Sequence, residues 1–343
     1  MPPRLGVIGA GFHATTNILP SLGLAGLPIA ALATRDPDRS RAALLRFGSD
    51  GTPYGSAAEL LADASLDGVV IVAQPADQLR LTLEALAAGK HVFVDKPLGF
   101  TPAEAQTAAD AAAAADRIAV VGFMKRDAPI YRRLRSVVTD GTLGTLRSFS
   151  LEFACDSTPF CRDDEEFVKL AAIHMIDLTR FLFGEPVSVS AISTSEGPHV
   201  ALSAAIRFDS GIAGTVSLTG LPSRTSETER LVVTGDRGHA TTVDNAELRL
   251  RTLAPADPSP TATSLTERTE VFSPSESAMS GTARDLHLRG FVAELAAFAA
   301  AVEGVPAVAP ASTAADNVAT MTLCDALLAA TRQPHQRLAP TGP

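Results

Sequence analysis

Short apolar segments that alternate with helix-forming stretches leave this chain few folds to choose from. The apolar segments are residues 5–8, 29–32, 68–72, 91–94 and 118–123, and the helix-forming ones include 57–64, 78–88 and the alanine-rich 102–115. Such β-α alternation predicts a parallel sheet covered by helices on both faces. Its first strand runs into Gly9-Ala10-Gly11-Phe12-His13-Ala14. A G-x-G-x-x-A turn between a strand and a helix permits a tight reversal and aims a helix N-terminus at a pyrophosphate. The expected fold is therefore an α/β Rossmann domain that binds a dinucleotide.

The second strand ends in Ala33-Thr34-Arg35-Asp36. An acidic residue at that end normally binds the ribose 2′-hydroxyl of NAD, whereas a guanidinium suits the 2′-phosphate of NADP. Thr34 and Arg35 favour NADP. NAD is the alternative, with Arg35 over the adenine or in solvent and Asp36 serving the ribose. A later strand, Val92-Phe93-Val94, delivers Asp95-Lys96-Pro97. Ligands of open parallel sheets sit just beyond the carboxyl ends of the strands, so Lys96 is placed to react. Desolvation beside a cofactor disfavours an ammonium and moves a lysine toward useful proton-transfer behaviour.

From about residue 146 the pattern becomes that of strands: 148–154, 187–192, 200–208, 212–218, 231–233 and 248–250. Turns such as Asp209-Ser210-Gly211 and Gly235-Asp236-Arg237-Gly238 predict an antiparallel meander. A helix over 164–183 interrupts it, stopped by Gly184 and Pro186, and helices over 290–302 and 314–330 close the chain. The Pro/Ser/Thr-rich residues 254–283 read as a surface loop. The expected division is a dinucleotide-binding domain over 1–124 and an α+β domain with a large, mostly antiparallel open sheet over 125–343, its last helices packing back on the first domain.

Charge and cysteine content narrow the function. A formal net charge of −9 without a basic stripe argues against nucleic-acid and anionic-membrane partners. Cys155, Cys161 and Cys324 lack metal-site spacing, so neither a metal site nor a disulfide framework is expected. No apolar run reaches the length of a spanning helix, and Met1-Pro2-Pro3-Arg4 leads directly toward a strand, so a cytoplasmic protein is expected.

The Gly9 turn, residues 87–98 with Asp95-Lys96-Pro97, Val121-Gly122-Phe123-Met124-Lys125-Arg126, Ile173-His174-Met175-Ile176-Asp177 and Gly211-Ile212-Ala213-Gly214-Thr215 together resemble the Gfo/Idh/MocA oxidoreductases. The resemblance implies hydride transfer between nicotinamide and an alcohol or ketone of a sugar, amino-sugar or cyclitol. It also implies a lysine at Lys96 touching the reacting hydroxyl, a following proline commonly in a cis bond, and pairing of copies as dimers or tetramers through the second sheet. Ser188, Ser190 and Ser193 are expected on that open face. The implied catalytic residues are Lys96 and His174, and the implied substrate-binding residues Lys125 and Asp177. Gly9, Gly11, Phe12, His13, Thr34, Arg35, Gln74, Pro75, Lys96 and Pro97 form the expected cofactor-binding set.

The chain departs from this pattern at two places: Asp95 stands where the family's usual Glu-Lys-Pro motif has its glutamate, and a second difference lies before the histidine. The family usually carries an aspartate one turn before the histidine, and here the residue is Leu170. His174 then lacks a carboxylate that would raise its pKa and fix its tautomer, which leaves proton transfer to Lys96. A ligand sensor without turnover, or a reductase of imines or thioester-linked intermediates, are the competing readings. Asp163-Asp164-Glu165-Glu166 reads as a helix N-terminus with Asp163 capping and Glu166 completing a capping box, or as an acidic lip for a cationic substrate.

Overall fold

The computed structural model describes residues 2–253, 267–274, 283–305 and 310–333. Six parallel strands form the first sheet: β1 (Leu5–Ile8), β2 (Ile29–Ala33), β3 (Thr52–Tyr54), β4 (Gly68–Ile71), β5 (His91–Val94) and β6 (Ala119–Val121). Their order is β3-β2-β1-β4-β5-β6, so chain direction across the sheet reverses between β1 and β4. That reversal opens a crevice at the carboxyl ends of the central strands. Every residue of β1 and β4 is buried, as a parallel strand sandwiched between helices requires. The segment 52–54 was not expected as a strand; three residues at a sheet edge give too short a signal for alternation to register.

The second sheet has eight strands: β7 (Leu146–Cys155), β8 (Pro186–Ser193), β9 (Val200–Phe208), β10 (Ala213–Gly220), β11 (Thr228–Gly235), β12 (Gly238–Val243), β13 (Glu247–Leu253) and β14 (Glu267–Phe272). Its order, β14-β13-β12-β11-β7-β10-β9-β8, corrects the expected meander, because β7 is inserted between β10 and β11 and pairs parallel with β10. All its other pairings are antiparallel. β14 also corrects the reading of 254–283 as one loop. Its Glu-Arg-Thr-Glu-Val-Phe alternation pairs with β13 as an edge strand, while residues 254–266 and 275–282 lie outside the described residues. Ser188 and Ser190 are exposed on β8, but Ser193 has opposite parity and its hydroxyl donates to Asp164 Oδ2 at 2.7 Å.

The closing helices fasten the second half onto the first. Helix Phe291–Val302 buries Phe291, Val292, Leu295 and Phe298, one helical face, against the first sheet, where Phe298 meets Phe93 at 5.9 Å between ring centroids. Each such side chain contributes about 1.5–3 kcal/mol of burial. Helix Ala314–Thr331 starts in a Thr313/Asp316 capping box, and Asn317 Nδ2 donates to Leu98 O at 2.7 Å, tying it to the loop after the Lys96 turn. No helix among the described residues is long and apolar enough to cross a membrane.

Candidate active site

Gly9 takes φ 108°, a left-handed value, and a Cβ there would stand 2.1 Å from Val72 O. Only glycine lets β1 turn this close to the end of β4. At Gly11 an added Cβ would meet nothing within 4 Å, so the turn's outer face is open to a pyrophosphate. The helix begins at Phe12, 84% exposed, and its second residue His13 accepts from Asn17 Nδ2 at Nδ1 (2.9 Å). That leaves the imidazole hydrogen on Nε2, which faces Asp95 Oδ1 at 3.6 Å. Burial lowers the pKa of His13 and outweighs the nearby Asp95 carboxylate.

At the end of β2, Asp36 is occupied as a helix cap: its Oδ1 accepts from Asp38 N at 2.9 Å. Thr34 Oγ1 donates to Asp36 O at 2.7 Å. Arg39, unforeseen in the sequence, reaches back to the glycine turn and donates to Ala10 O at 3.2 Å. Arg39 thus stands beside the glycine turn, and the Asp36 carboxylate is turned into its own helix. Gln74 and Pro75 open helix Pro75–Ala87 on the other side of the crevice.

The Lys96-Pro97 bond is cis. Lys96 Nζ donates to the backbone carbonyl of Leu170 at 2.5 Å. That carbonyl belongs to a π-helical stretch, Phe167–Ala172, where widened hydrogen bonding frees backbone oxygens for other donors. The expected helix over 164–183 is therefore three pieces: Asp164–Glu166, the π-helical turns, and Ile173–Phe183. At residue 170 a main-chain oxygen meets the lysine while the leucine side chain offers no acid.

His174 stands one turn further on, edge-on to Phe123 at 6.3 Å. Its Nδ1 is buried and without a partner, as expected of an imidazole whose i−4 neighbour is leucine. Burial first, then the charges of Lys96, Lys125, His13 and Arg289, hold its pKa well below the ordinary histidine value. His174 is neutral across the physiological range.

The other two expected substrate ligands are engaged within the protein. Both oxygens of Asp177, 1% exposed, accept from Arg126, Oδ2 from Nε and Oδ1 from Nη2, each at 2.7 Å, and Oδ1 also accepts from Thr320 Oγ1 at 2.8 Å. The i, i+3 spacing that grouped Asp177 with His174 is overridden by this bidentate pair, which turns the carboxylate toward Arg126. Lys125, 4% exposed, is paired with Glu229 Oε2, while Glu229 Oε1 accepts from Tyr131 Oη at 2.6 Å. Tyr131 was read from the sequence as a packing or surface residue, and Glu227, Glu229 and Arg289 were not singled out. No spacing signal links them, since β11 and the start of helix Phe291–Val302 meet Lys125 only through the fold.

The acidic run resolves as a helix start. Asp163 caps Glu166 N at 2.9 Å, but Glu166 returns to Arg162 N (2.8 Å) rather than to the cap residue, so the box is shifted by one position. Glu165 pairs with Lys169 and Asp164 with Ser193, leaving no free lip.

Comparison with known proteins agrees with this architecture. A family model described as "Oxidoreductase family, NAD-binding Rossmann fold" matches residues 3–123, and the "GFO/IDH/MocA C-terminal domain" model matches 131–241. An uncharacterized oxidoreductase of Rhizobium meliloti is 35% identical over 146 residues, 42% of this chain and 43% of that protein. Inositol 2-dehydrogenase of Burkholderia lata is 28% identical over 202 residues, 58% of this chain and 60% of that protein. The chain thus matches about half the length of these curated relatives. The crystal structure of an oxidoreductase from Agrobacterium radiobacter, in complex with NAD+, L-tartaric acid and magnesium, has the same fold, with TM-score 0.81, 19% identity and 96% of each chain covered. The chain belongs to the Gfo/Idh/MocA oxidoreductase family, whose two models together match well over half of it.

Proposed function

We propose that this chain is an NADP(H)-dependent oxidoreductase acting on a secondary alcohol or ketone of a sugar-like polyol, with Lys96 as its general acid/base. The observation that carries the reading is the placement of Lys96: at the carboxyl end of β5, beside the glycine turn, bonded to Leu170 O and within electrostatic reach of a neutral His174. The name of the inositol 2-dehydrogenase relative supports the polyol class. Residues 1–124 would bind the cofactor and 125–343 the substrate, with the uncovered face of the second sheet available for self-association.

A bound nicotinamide supplies the hydride chemistry, and the protein supplies position and proton transfer. Gly9, Gly11 and the helix start at Phe12 would hold the pyrophosphate. Arg35 and Arg39 would hold the 2′-phosphate. Lys96, held by a carbonyl that cannot take its proton, would exchange that hydrogen bond for the substrate oxygen and remove or return its proton. His174 Nδ1, buried and unpartnered, is a ready acceptor or donor for a neighbouring substrate hydroxyl rather than a second base. Retention of the lysine weighs against a sensor without turnover.

Cofactor preference gives a direct test. In the Arg35→Ala/Arg39→Ala double variant, kcat/KM with NADP should fall about a hundredfold, the scale of losing charge-assisted bonds to a phosphate, while kcat/KM with NAD holds or rises. Equal losses with both cofactors would sink the 2′-phosphate assignment.

A second test addresses the departure at residue 170. The Leu170→Asp variant places a carboxylate one helical turn before His174. A nearby negative charge favours imidazolium, so the histidine pKa should rise toward or above its ordinary value near 6.5. The variant's kcat/KM profile should gain an acid limb near that pH which the parent lacks. An identical limb in the parent would show that His174 already titrates in catalysis.

A further inference from the structure

Beside Lys125 lies a small polar cavity of about 100 Å³ lined by Lys125, Glu227, Glu229, Asp244, Asn245 and Arg289. That is room for a substituent rather than a whole ring, since complete ligand sites run to roughly 300–1,000 Å³. Among the described residues, two of its acceptors lack a hydrogen-bond donor, the first of them held only by ion pairs. Glu227 Oε1 stands 3.7 Å from both Lys125 Nζ and Arg289 Nη2, beyond hydrogen-bond distance of either. Asn245, 9% exposed, uses its amide nitrogen on Leu288 O at 3.1 Å, and its Oδ1 is buried without a partner.

Asn245 is held there by a tight turn between β12 and β13 in which Asp244 and Asn245 both take left-handed backbone angles, φ 48° and 56°. Such angles cost a non-glycine residue on the order of 1 kcal/mol each and persist where the surroundings impose them. The turn is anchored at the same spot, because Glu229 N donates to Asp244 Oδ1 at 3.0 Å. Lys125 follows by two residues Phe123, whose ring meets His174 edge-on at 6.3 Å, and Arg289 precedes by two residues Phe291, whose ring meets His13 at 5.7 Å, so the cavity lies on the side of the Lys96–His174 cleft.

We propose that this cavity is a specificity subsite in which Glu227 and Asn245 read a hydroxyl group of the substrate at a carbon other than the one oxidised. The chemistry of the lining selects the ligand class. An ammonium brings only donors, so it could pair with the carboxylates but would offer no acceptor to Lys125 and Arg289, which would repel it. A carboxylate brings only acceptors and would meet Glu227, Glu229, Asp244 and Asp285, the last also on the cavity wall. A hydroxyl carries one donor and two acceptor positions, so it can donate to Glu227 or Asn245 while accepting from Lys125 or Arg289. Glu227 is the specificity-determining residue because it is the acceptor with both neighbouring cations just out of reach.

The proposal rests on the polyol oxidoreductase reading and is tested separately from it. Cyclitols and aldohexoses, each with its monodeoxy analogues, are assayed with the parent, Glu227→Gln and Asn245→Gly, glycine being suited to the left-handed position. For one hydroxyl of the best substrate, Glu227→Gln should raise KM about ten- to hundredfold with kcat unchanged, the scale of a lost charge-assisted hydrogen bond. The analogue lacking that hydroxyl should show the same high KM with parent and variant alike. Asn245→Gly should give a smaller rise of the same kind. If the parent oxidises polyols but no analogue loses its sensitivity to Glu227→Gln, the subsite is refuted and the oxidoreductase reading stands. An amino-sugar outcompeting its hydroxyl counterpart in a Glu227-dependent way would also overturn it. Absence of turnover with every polyol would remove both readings.

Discussion

Lys96→Ala should retain its fold and its dinucleotide affinity and lose catalysis by about 10²–10⁴ in kcat, the range that a positioned general acid/base supplies. The loss belongs near the upper end, because burial holds the His174 pKa well below its ordinary value and makes its imidazolium costly, so His174 is a weak substitute base. His174 is neutral, its Nδ1 is unpartnered, and the i−4 residue that would charge it is Leu170. Among the described residues Lys96 makes one side-chain hydrogen bond, to Leu170 O, and removing its side chain leaves a carbonyl beside the crevice, so little stability is at stake. Cofactor affinity measured by fluorescence titration and turnover measured at the nicotinamide absorbance band separate the two properties. A variant that turns over within tenfold of the parent would transfer the acid/base role to another group.

Asp177→Ala should instead act on stability. Asp177 and Arg126 are both almost fully buried, and the carboxylate answers the guanidinium at two oxygens. Arg126 Nη1 also donates to Ala311 O at 2.7 Å and lies 3.2 Å from Asp316 Oδ1, so one side chain joins the stretch after β6, helix Ile173–Phe183 and the start of helix Ala314–Thr331. Deleting the acid leaves the buried guanidinium with only the partly exposed Asp316 as counter-ion, a loss at the lower end of the cost of breaking a buried pair, about 3 kcal/mol. Thermal unfolding should fall on the order of 10 °C, whereas loss of an exposed cap such as Asp163 costs about 1 kcal/mol. An unchanged Tm together with a raised KM would return Asp177 to the substrate-binding role suggested by its position in the sequence.

These two residues also mark how far the sequence could be read. The first sheet was legible because parallel strands are continuous apolar runs and the glycine turn marks where the first one ends. Lys96 and His174 were legible because each sits in a local motif whose neighbours specify its place. The pairing of Asp177 with Arg126 was not legible, because i, i+3 spacing describes a helix face but not which charge across the core meets the side chain. Lys125 was found, but its partner Glu229 is 104 residues away and only the pairing of β11 with β7 brings it there. β12 went unseen because Gly-His-Ala-Thr-Thr-Val has no apolar alternation, its burial coming from the strands on either side. Leu170 was read as a missing carboxylate, yet the π-helical turn presents its carbonyl to Lys96, and π-helical turns leave no pattern in the sequence.

On the proposed function, this site moves a hydride between a polyol carbon and nicotinamide. Incubating the protein with NADP and cyclitols or hexoses deuterated at carbon, followed by mass spectrometry of the recovered cofactor, tests it most directly. One deuterium is expected in the reduced nicotinamide, absent when Lys96→Ala replaces the parent over the same time. Tight NADP binding with no label transferred from any polyol would contradict it and leave a dinucleotide-binding sensor as the better description.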